Sequence, residues 1–292
     1  MKKTSNPKII LITGTSSGFG LRMAARLASH GHQIIATMRD LDKKGALLDE
    51  VKRRGGGLVD IFALDVTNPE SIKTLGTTIG ALYGYVDVLI NNAGYGIGGF
   101  FEDLTEEEIR EQMETNFFGV QNLTRQIIPF MRQRKKGKII NISSVAGFST
   151  SPCFGAYNTS KWALEAFSES LRYELKYFGI DVHLIEPGTY RTKIFYENAR
   201  YAQNFDNPNS PYYNLSQFLK QRVMDFVDDC HKDPEDVAVI AERLINSKHA
   251  PFRNIPDIES QIQFILRKFL PFRAYSFLIE KALLSGVKTR LK

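Results

Sequence analysis

Tyr157 and Lys161 stand four residues apart in the stretch YNTSKWALEAF. The stretch reads as the start of a helix, and residues four apart share one helix face, about 6 Å along its axis. The pair is either a surface pair on an amphipathic helix or a phenol whose proton is meant to move. A free tyrosine, with a pKa near 10, is a poor base at neutral pH. An ammonium about 4 Å away contributes roughly 4 kcal/mol at an effective dielectric near 20. That could lower the phenol by up to about three pKa units. It would then titrate near neutrality, where general acid–base catalysis works best.

A second constellation lies near the N-terminus. The loop TGTSSGFG spans Thr13 to Gly20, between the β-branched run KIILIT and the helical pattern FGLRMAARLASHG. Gly14, Gly18 and Gly20, with Ser16, Ser17 and Phe19 between them, would make a tight turn open to a pyrophosphate. The helix N-terminus beyond would offer free N–H groups and a positive dipole to the phosphates. The spacing is G-x-x-x-G-x-G, and a plain turn is the alternative. In dinucleotide sites that use NAD, an acid at the end of the second strand binds the ribose hydroxyls. Here that segment is IIATMRD, with Met38 at the expected position and Arg39 after it. A guanidinium can grip a 2′-phosphate through paired charge-assisted bonds, which points to NADP. The alternative makes Arg39 a solvated surface residue and gives NAD to Asp40.

These residues need elements to place them. Six β-branched runs (KIILIT, QIIATM, LVDIFAL, VDVLIN, GKIINIS and DVHLIEPG) alternate with helical patterns. Thr105 and Glu108 form a capping box for a helix that carries Asn116 toward Met131. A long helix is expected from about Ala156 to Phe178. The alternation predicts an α/β fold, a doubly wound and mostly parallel sheet with helices on both faces. In such sheets ligands bind at the carboxyl ends of the strands, where the glycine loop lies.

Six segments then occur in order: TGTSSGFG, LDVT (Leu64 to Thr67), NNAG (Asn91 to Gly94), NISS (Asn141 to Ser144), YNTSK, and PGTYRT (Pro187 to Thr192). Together they resemble the short-chain dehydrogenases/reductases, over about residues 7 to 256. The segments ATMRDL, NAGYG and NFFGV resemble the hydroxysteroid and retinol dehydrogenase-like subgroup. The resemblance implies Tyr157 as acid/base, Lys161 as ribose ligand and modulator of the phenol, and Ser144 as the group polarising the substrate, with Ser143 as runner-up. It implies Asn116 as holder of a water in a proton relay. It also implies that Asp65 and Val66 contact the adenine, that Asn92, Ala93 and Gly94 line the adenosine ribose, and that Pro187, Gly188 and Thr192 lie over the nicotinamide and its phosphates. Members are often homodimers or homotetramers.

Composition fits this reading. The chain has 292 residues, 43% hydrophobic and 24% charged, ordinary for a globular protein. Two cysteines exclude a disulfide framework and fit a reducing cytoplasm. No apolar run is long enough to span a bilayer, and five scattered histidines offer no metal spacing. Net charge is +6, but from Gln261 onward there are seven basic residues and one acid, Glu280, so the first 260 residues are balanced. That argues against a nucleic-acid-binding face.

We expect a catalytic domain over residues 1–256, with a substrate lid at 193–233, and a basic helical extension over 257–292. The lid carries Phe195, Tyr196, Tyr201, Phe205, Tyr212, Tyr213 and Phe218, which suit an apolar substrate or plain packing equally. The extension has two apolar stripes broken at Pro271. They can pack on the domain, close the pocket, cover a partner subunit or lie on an anionic membrane, with packing favoured. Cys153 is read as incidental. The expected activity is NADP-dependent interconversion of a carbonyl and an alcohol. The alternative is a protein that senses NADP(H) without turnover.

Overall fold

The computed structural model describes residues 6–193, 196 and 199–286. Along the chain, β1 (Ile9–Thr13) leads into α1 (Gly18–Ser29), β2 (Gln33–Met38) into α2 (Lys44–Arg53), and β3 (Leu58–Ala63) into α3 (Pro69–Leu82). β4 (Val88–Asn91) is followed by the short β5 (Ile97–Gly98), then by α4 (Glu106–Met113) and α5 (Gly119–Gln133), which a π-turn over Glu114–Phe118 joins. β6 (Gly137–Ile142), α6 (Gly155–Lys176) and β7 (Ile180–Ile185) come next. The chain closes with β8 (Arg200–Tyr201), α7 (Tyr213–Asp228), α8 (Glu235–Asn246), β9 (Arg253–Asn254), α9 (Ile258–Phe269) and α10 (Phe272–Leu284).

Seven strands form one parallel sheet in the order β3-β2-β1-β4-β6-β7-β9. Alternate residues of each strand point to opposite faces. Ile10, Ile12, Ile34 and Ile140 therefore pack against Met23, Leu27, Leu47 and Leu244 of α1, α2 and α8. Leu11, Ile35, Leu89 and Ile139 pack against Ile79, Leu123, Ile127 and Leu175 of α3, α5 and α6. This is the doubly wound sheet expected from the alternation, and all six expected strands form. The strand order reverses beside β1, which opens a crevice at the carboxyl ends of β1 and β4.

Local chemistry sets the helix starts. Thr105 and Glu108 close the capping box of α4, and Asn68 accepts from the backbone of Glu70 and Ser71 ahead of Pro69. The region read as a substrate lid contains a regular helix, α7. Phe205, ahead of α7, is fully buried, and with Cys153, Ala202 and Leu219 it forms a small core of its own. Tyr201 and Phe218 pack against this core. Phe195 lies outside the described residues, as do Lys288, Arg290 and Lys292. The pair β5–β8 and the edge strand β9 were not expected, since two-residue strands leave no period to read.

One polar chain crosses the apolar sheet just below the crevice. Asn91 Nδ2 donates to Thr124 Oγ1 at 3.0 Å and to Asn141 Oδ1 at 2.8 Å, and Asn141 Nδ2 donates to Ser168 Oγ at 2.8 Å. It links α5, β4, β6 and α6. Asn141→Leu deprives the buried Asn91 amide and the Ser168 hydroxyl of a partner each. The expected loss is about 2–4 kcal/mol of unfolding free energy in urea. An unchanged midpoint would contradict this.

Candidate active site

The loop after β1 is fastened to the loop after β4. Thr13 Oγ1 accepts from the N–H groups of Asn92 and Ala93, both at 2.9 Å. Asn92 Nδ2 returns bonds to the carbonyls of Thr13 at 2.8 Å and Gly14 at 3.0 Å. Gly14 has φ +70° and Gly18 φ +57°, the left-handed region that glycine enters freely. A Cβ on Gly14 would stand 2.9 Å from the Ala93 backbone, and one on Gly20 would run into the Gly14 carbonyl. The loop therefore stays open, with the first N–H groups of α1 behind it. Ser17, the N-cap, spends no side-chain bond on them, so they remain available to an anion.

A cleft of about 670 Å³ runs from this loop across the strand ends. Its walls include Gly14, Ser16, Ser17, Gly18, Phe19, Arg39, Asp65, Val66, Asn92, Ala93, Gly94, Tyr157, Lys161 and Thr192. The sequence brought these residues forward from distant motifs, and the fold collects them. Gly20 supports the loop from beneath. Pro187 and Gly188 stand behind the wall: the Pro187 carbonyl accepts from Val145 N at 3.0 Å, and Gly188 N donates to Asp257 at 3.2 Å.

Arg39 lies exposed on the cleft wall and makes no ion pair among the described residues. Asp40 lines the cleft as well. Its carboxylate accepts from Asp42 N at 3.0 Å and pairs with Lys43 at 3.8 Å. Lys43 also lines the cleft, so a second cation accompanies Arg39. Sequence reasoning missed it, although the run RDLDK carries it.

Tyr157 and Lys161 occupy the first two turns of α6, at the end of β6. Lys161 is 7% exposed, and its Nζ donates to the Ile142 carbonyl at 2.9 Å. Burial works against the lowering of the phenol expected from Lys161. Nζ is 5.8 Å from the centre of the Tyr157 ring. Burial dominates both groups. It pushes the Tyr157 phenol above its ordinary value, with the Ser144 hydroxyl pulling the other way. It pushes the Lys161 ammonium down to about 8, with Glu165 opposing.

The two serines divide clearly. Ser144 Oγ accepts from Ala146 N at 3.2 Å and faces the phenol. The Ser143 hydroxyl is buried and turned toward Glu165, for a Cβ on Gly147 would stand 2.8 Å from both. Asn116 sits in the π-turn, almost wholly buried. Its Nδ2 donates to the Tyr95 carbonyl at 2.9 Å and to Ser160 Oγ at 3.0 Å, and its Oδ1 accepts from Tyr95 N at 3.1 Å. Asn116 thus ties the β4–β5 loop to α6. Cys153 is buried with its thiol pushed up to about 12, which makes it unreactive.

Beneath Lys161 lies a charge cluster that the sequence reading did not single out. Glu165 follows Lys161 by one turn, and Glu186 follows β7. Arg253 on β9 bridges both, at 2.5 Å each. The two carboxylates are 5% and 0% exposed. Burial, with Glu165 beside it, holds the Glu186 carboxyl above the usual carboxylate range, while Arg253 opposes. The available signals were the spacing Tyr157, Lys161, Glu165 along one face and an acid directly after an apolar strand.

A carboxyl raised in the folded state keeps its proton after the unfolded chain has released its own. The Glu186 contribution therefore falls as pH rises from about 5 toward neutrality. Glu186→Gln, which cannot ionise, is expected to flatten that decline in urea-unfolding free energy between about pH 5 and 7. An unchanged slope would contradict the assignment.

Comparison with known proteins agrees with this geometry. The short chain dehydrogenase family matches residues 8–202. The uncharacterized oxidoreductase YusZ of Bacillus subtilis is 37% identical over 96% of this chain and all of its own length. The 3-ketodihydrosphingosine reductase of Bacteroides thetaiotaomicron is 39% identical over 85% of this chain and 87% of its own. Human retinol dehydrogenase 8 is 35% identical over 86% and 82%. Among solved structures, a short-chain dehydrogenase from Streptomyces avermitilis superposes with TM-score 0.77 at 31% identity, covering 97% of this chain and 98% of its own. A metagenomic short-chain oxidoreductase bound to NADP gives 0.67 at 26% identity, covering 86% and 98%. A Burkholderia phymatum relative bound to NAD gives 0.78 at 26% identity, covering 90% and 93%. The chain belongs to the short-chain dehydrogenase family of oxidoreductases.

Proposed function

We propose that this chain is an NADP-dependent oxidoreductase that interconverts a carbonyl and a primary or secondary alcohol, working as a reductase on an apolar, lipid-like substrate. The observation that carries the reading is the convergence, in one cleft, of a glycine cradle, an exposed guanidinium and the pair Tyr157 and Lys161, with the Ser144 hydroxyl on the phenol. The bound nicotinamide dinucleotide supplies the hydride. Its diphosphate fits the open loop before α1. Arg39 and Lys43 would hold the 2′-phosphate, Asp65 and Val66 the adenine, and Asn92 to Gly94 the ribose. Pro187, Gly188 and Thr192 would lie over the nicotinamide and its phosphates.

Each polar group then has a task. As hydride arrives at the carbonyl carbon, the oxygen gains negative charge and needs a proton. Tyr157, held above its ordinary pKa, keeps its proton at neutral pH and can deliver it. Ser144 donates to the same oxygen and orients it. Lys161 holds the cofactor ribose and its positive charge favours proton release. Asn116 anchors the proton relay by fixing Tyr95 and Ser160. Relatives named for 3-ketodihydrosphingosine and for retinol support an apolar substrate and the hydroxysteroid and retinol dehydrogenase-like subgroup. The family resemblance supports a homodimer or homotetramer.

NADPH consumption against carbonyls ranging from small ketoesters to retinal and long-chain ketones tests the reading, with NADH alongside. Turnover of the apolar members with NADPH is expected, and turnover of none would contradict it. Arg39→Ala is expected to raise KM for NADPH roughly ten- to hundredfold and to leave NADH unaffected. The pH profile gives a second check. Lys161 is charged below about 8 and neutral above it, so reductive kcat/KM should fall as pH rises through about 8. A profile flat to pH 10 would remove Lys161 from this role.

A further inference from the structure

α9 is fastened to the body along one face only. Asp257 caps it through Ser260 N at 3.0 Å, and Gln263 donates to Ser149 Oγ at 2.9 Å. Phe264 meets Phe148 edge-on at 5.1 Å. On the opposite face Ile258, Ile262, Ile265 and Phe269 recur at helical spacing, and they are 74%, 52%, 53% and 73% exposed. After the turn at Pro271 the patch continues through Phe272, 67% exposed. Large apolar side chains lined up on a bare helix face mark an interaction surface.

Charge identifies the occupant. Lys268 flanks the stripe, Arg273 stands beside Phe272, and both are exposed. The acid on this stretch, Glu259, is tied to Lys232 at 2.7 Å. From Gln261 onward the chain carries seven basic residues against one acid. Two-fold pairing with a second copy would bring this basic segment against its own equivalent, a repulsive arrangement. Among the described residues no helix is long and apolar enough to cross a membrane. An apolar stripe with a basic flank instead matches a helix lying in the headgroup layer of an anionic bilayer.

We infer that the outer face of α9 and the start of α10 dock on an anionic lipid bilayer. The inner face of α9 covers Phe148 and Ser149, in the segment that follows Ser144. The docking surface itself does not depend on the reaction proposed above.

Sedimentation of the full-length chain with phosphatidylcholine vesicles, with and without phosphatidylglycerol, tests the inference. Binding to the anionic vesicles alone, weakened by salt, is expected. Lys268→Ala with Arg273→Ala should lower the partition coefficient roughly thirtyfold. Ile262→Glu with Phe269→Glu should abolish binding while leaving thermal stability and native mass unchanged. Failure of the wild type to bind anionic vesicles, or equal binding by the Ile262→Glu, Phe269→Glu variant, would overturn the inference. A change in native mass in that variant would also overturn it, by showing that the face joins two copies.

Discussion

The Lys161 ammonium is nearly closed off from solvent and donates to the carbonyl of Ile142, the last residue of β6, at 2.9 Å. A buried cation loses its hydration and must be compensated by what surrounds it. Glu165, one turn along α6, supplies opposite charge. Glu165 is itself buried and leans on Arg253, which also bridges Glu186 behind β7. The ion system thus extends from the cleft to the edge strand β9. Removing Arg253 would leave two buried carboxyls without the cation that bridges them. The cluster also accounts for Gly147, since a side chain there would displace the Glu165 carboxyl.

Neutral polar contacts hold the rest of the cleft in register with that cation. The ladder from Thr124 through Asn91 and Asn141 to Ser168 fixes the ends of β4 and β6 relative to α5 and α6. Asn116, carried by the π-turn, ties Tyr95 to Ser160 on the helix of Tyr157 and Lys161. The latch between Thr13 and Asn92 sets the distance from that group to the glycine loop. Two distant parts of the sequence are brought to facing walls by side-chain amides and hydroxyls, with the apolar sheet beneath them as a rigid base.

Much of this was legible in the residues. The six long strands followed from β-branched runs, because a parallel sheet covered on both faces needs continuous apolar segments. The glycine loop, Arg39, Tyr157 and Lys161 were legible from type and placement. The sign of the local electrostatics was not. Spacing gives the distance between Tyr157 and Lys161 along the helix but not the depth at which the side chains sit, and depth governs both of their pKa values here. Arg253 escaped notice because it acts across 88 residues on Glu165 and lies on a strand of two residues. The outward face of α9 was equally hidden. Its stripe is visible in the sequence, but which side the body takes is decided by Gln263, Phe264 and the Asp257 cap.

The central claim is that the Tyr157 phenol delivers the proton that completes reduction. Tyr157→Phe keeps the ring and its packing and removes only the hydroxyl. Its NADPH affinity, followed by nucleotide fluorescence, and its NADPH oxidation with a carbonyl that the wild type turns over test the claim in one preparation. The account predicts wild-type affinity with turnover reduced roughly a hundred- to ten-thousandfold. Turnover equal to that of the wild type would contradict it and place the proton donor elsewhere in the cleft.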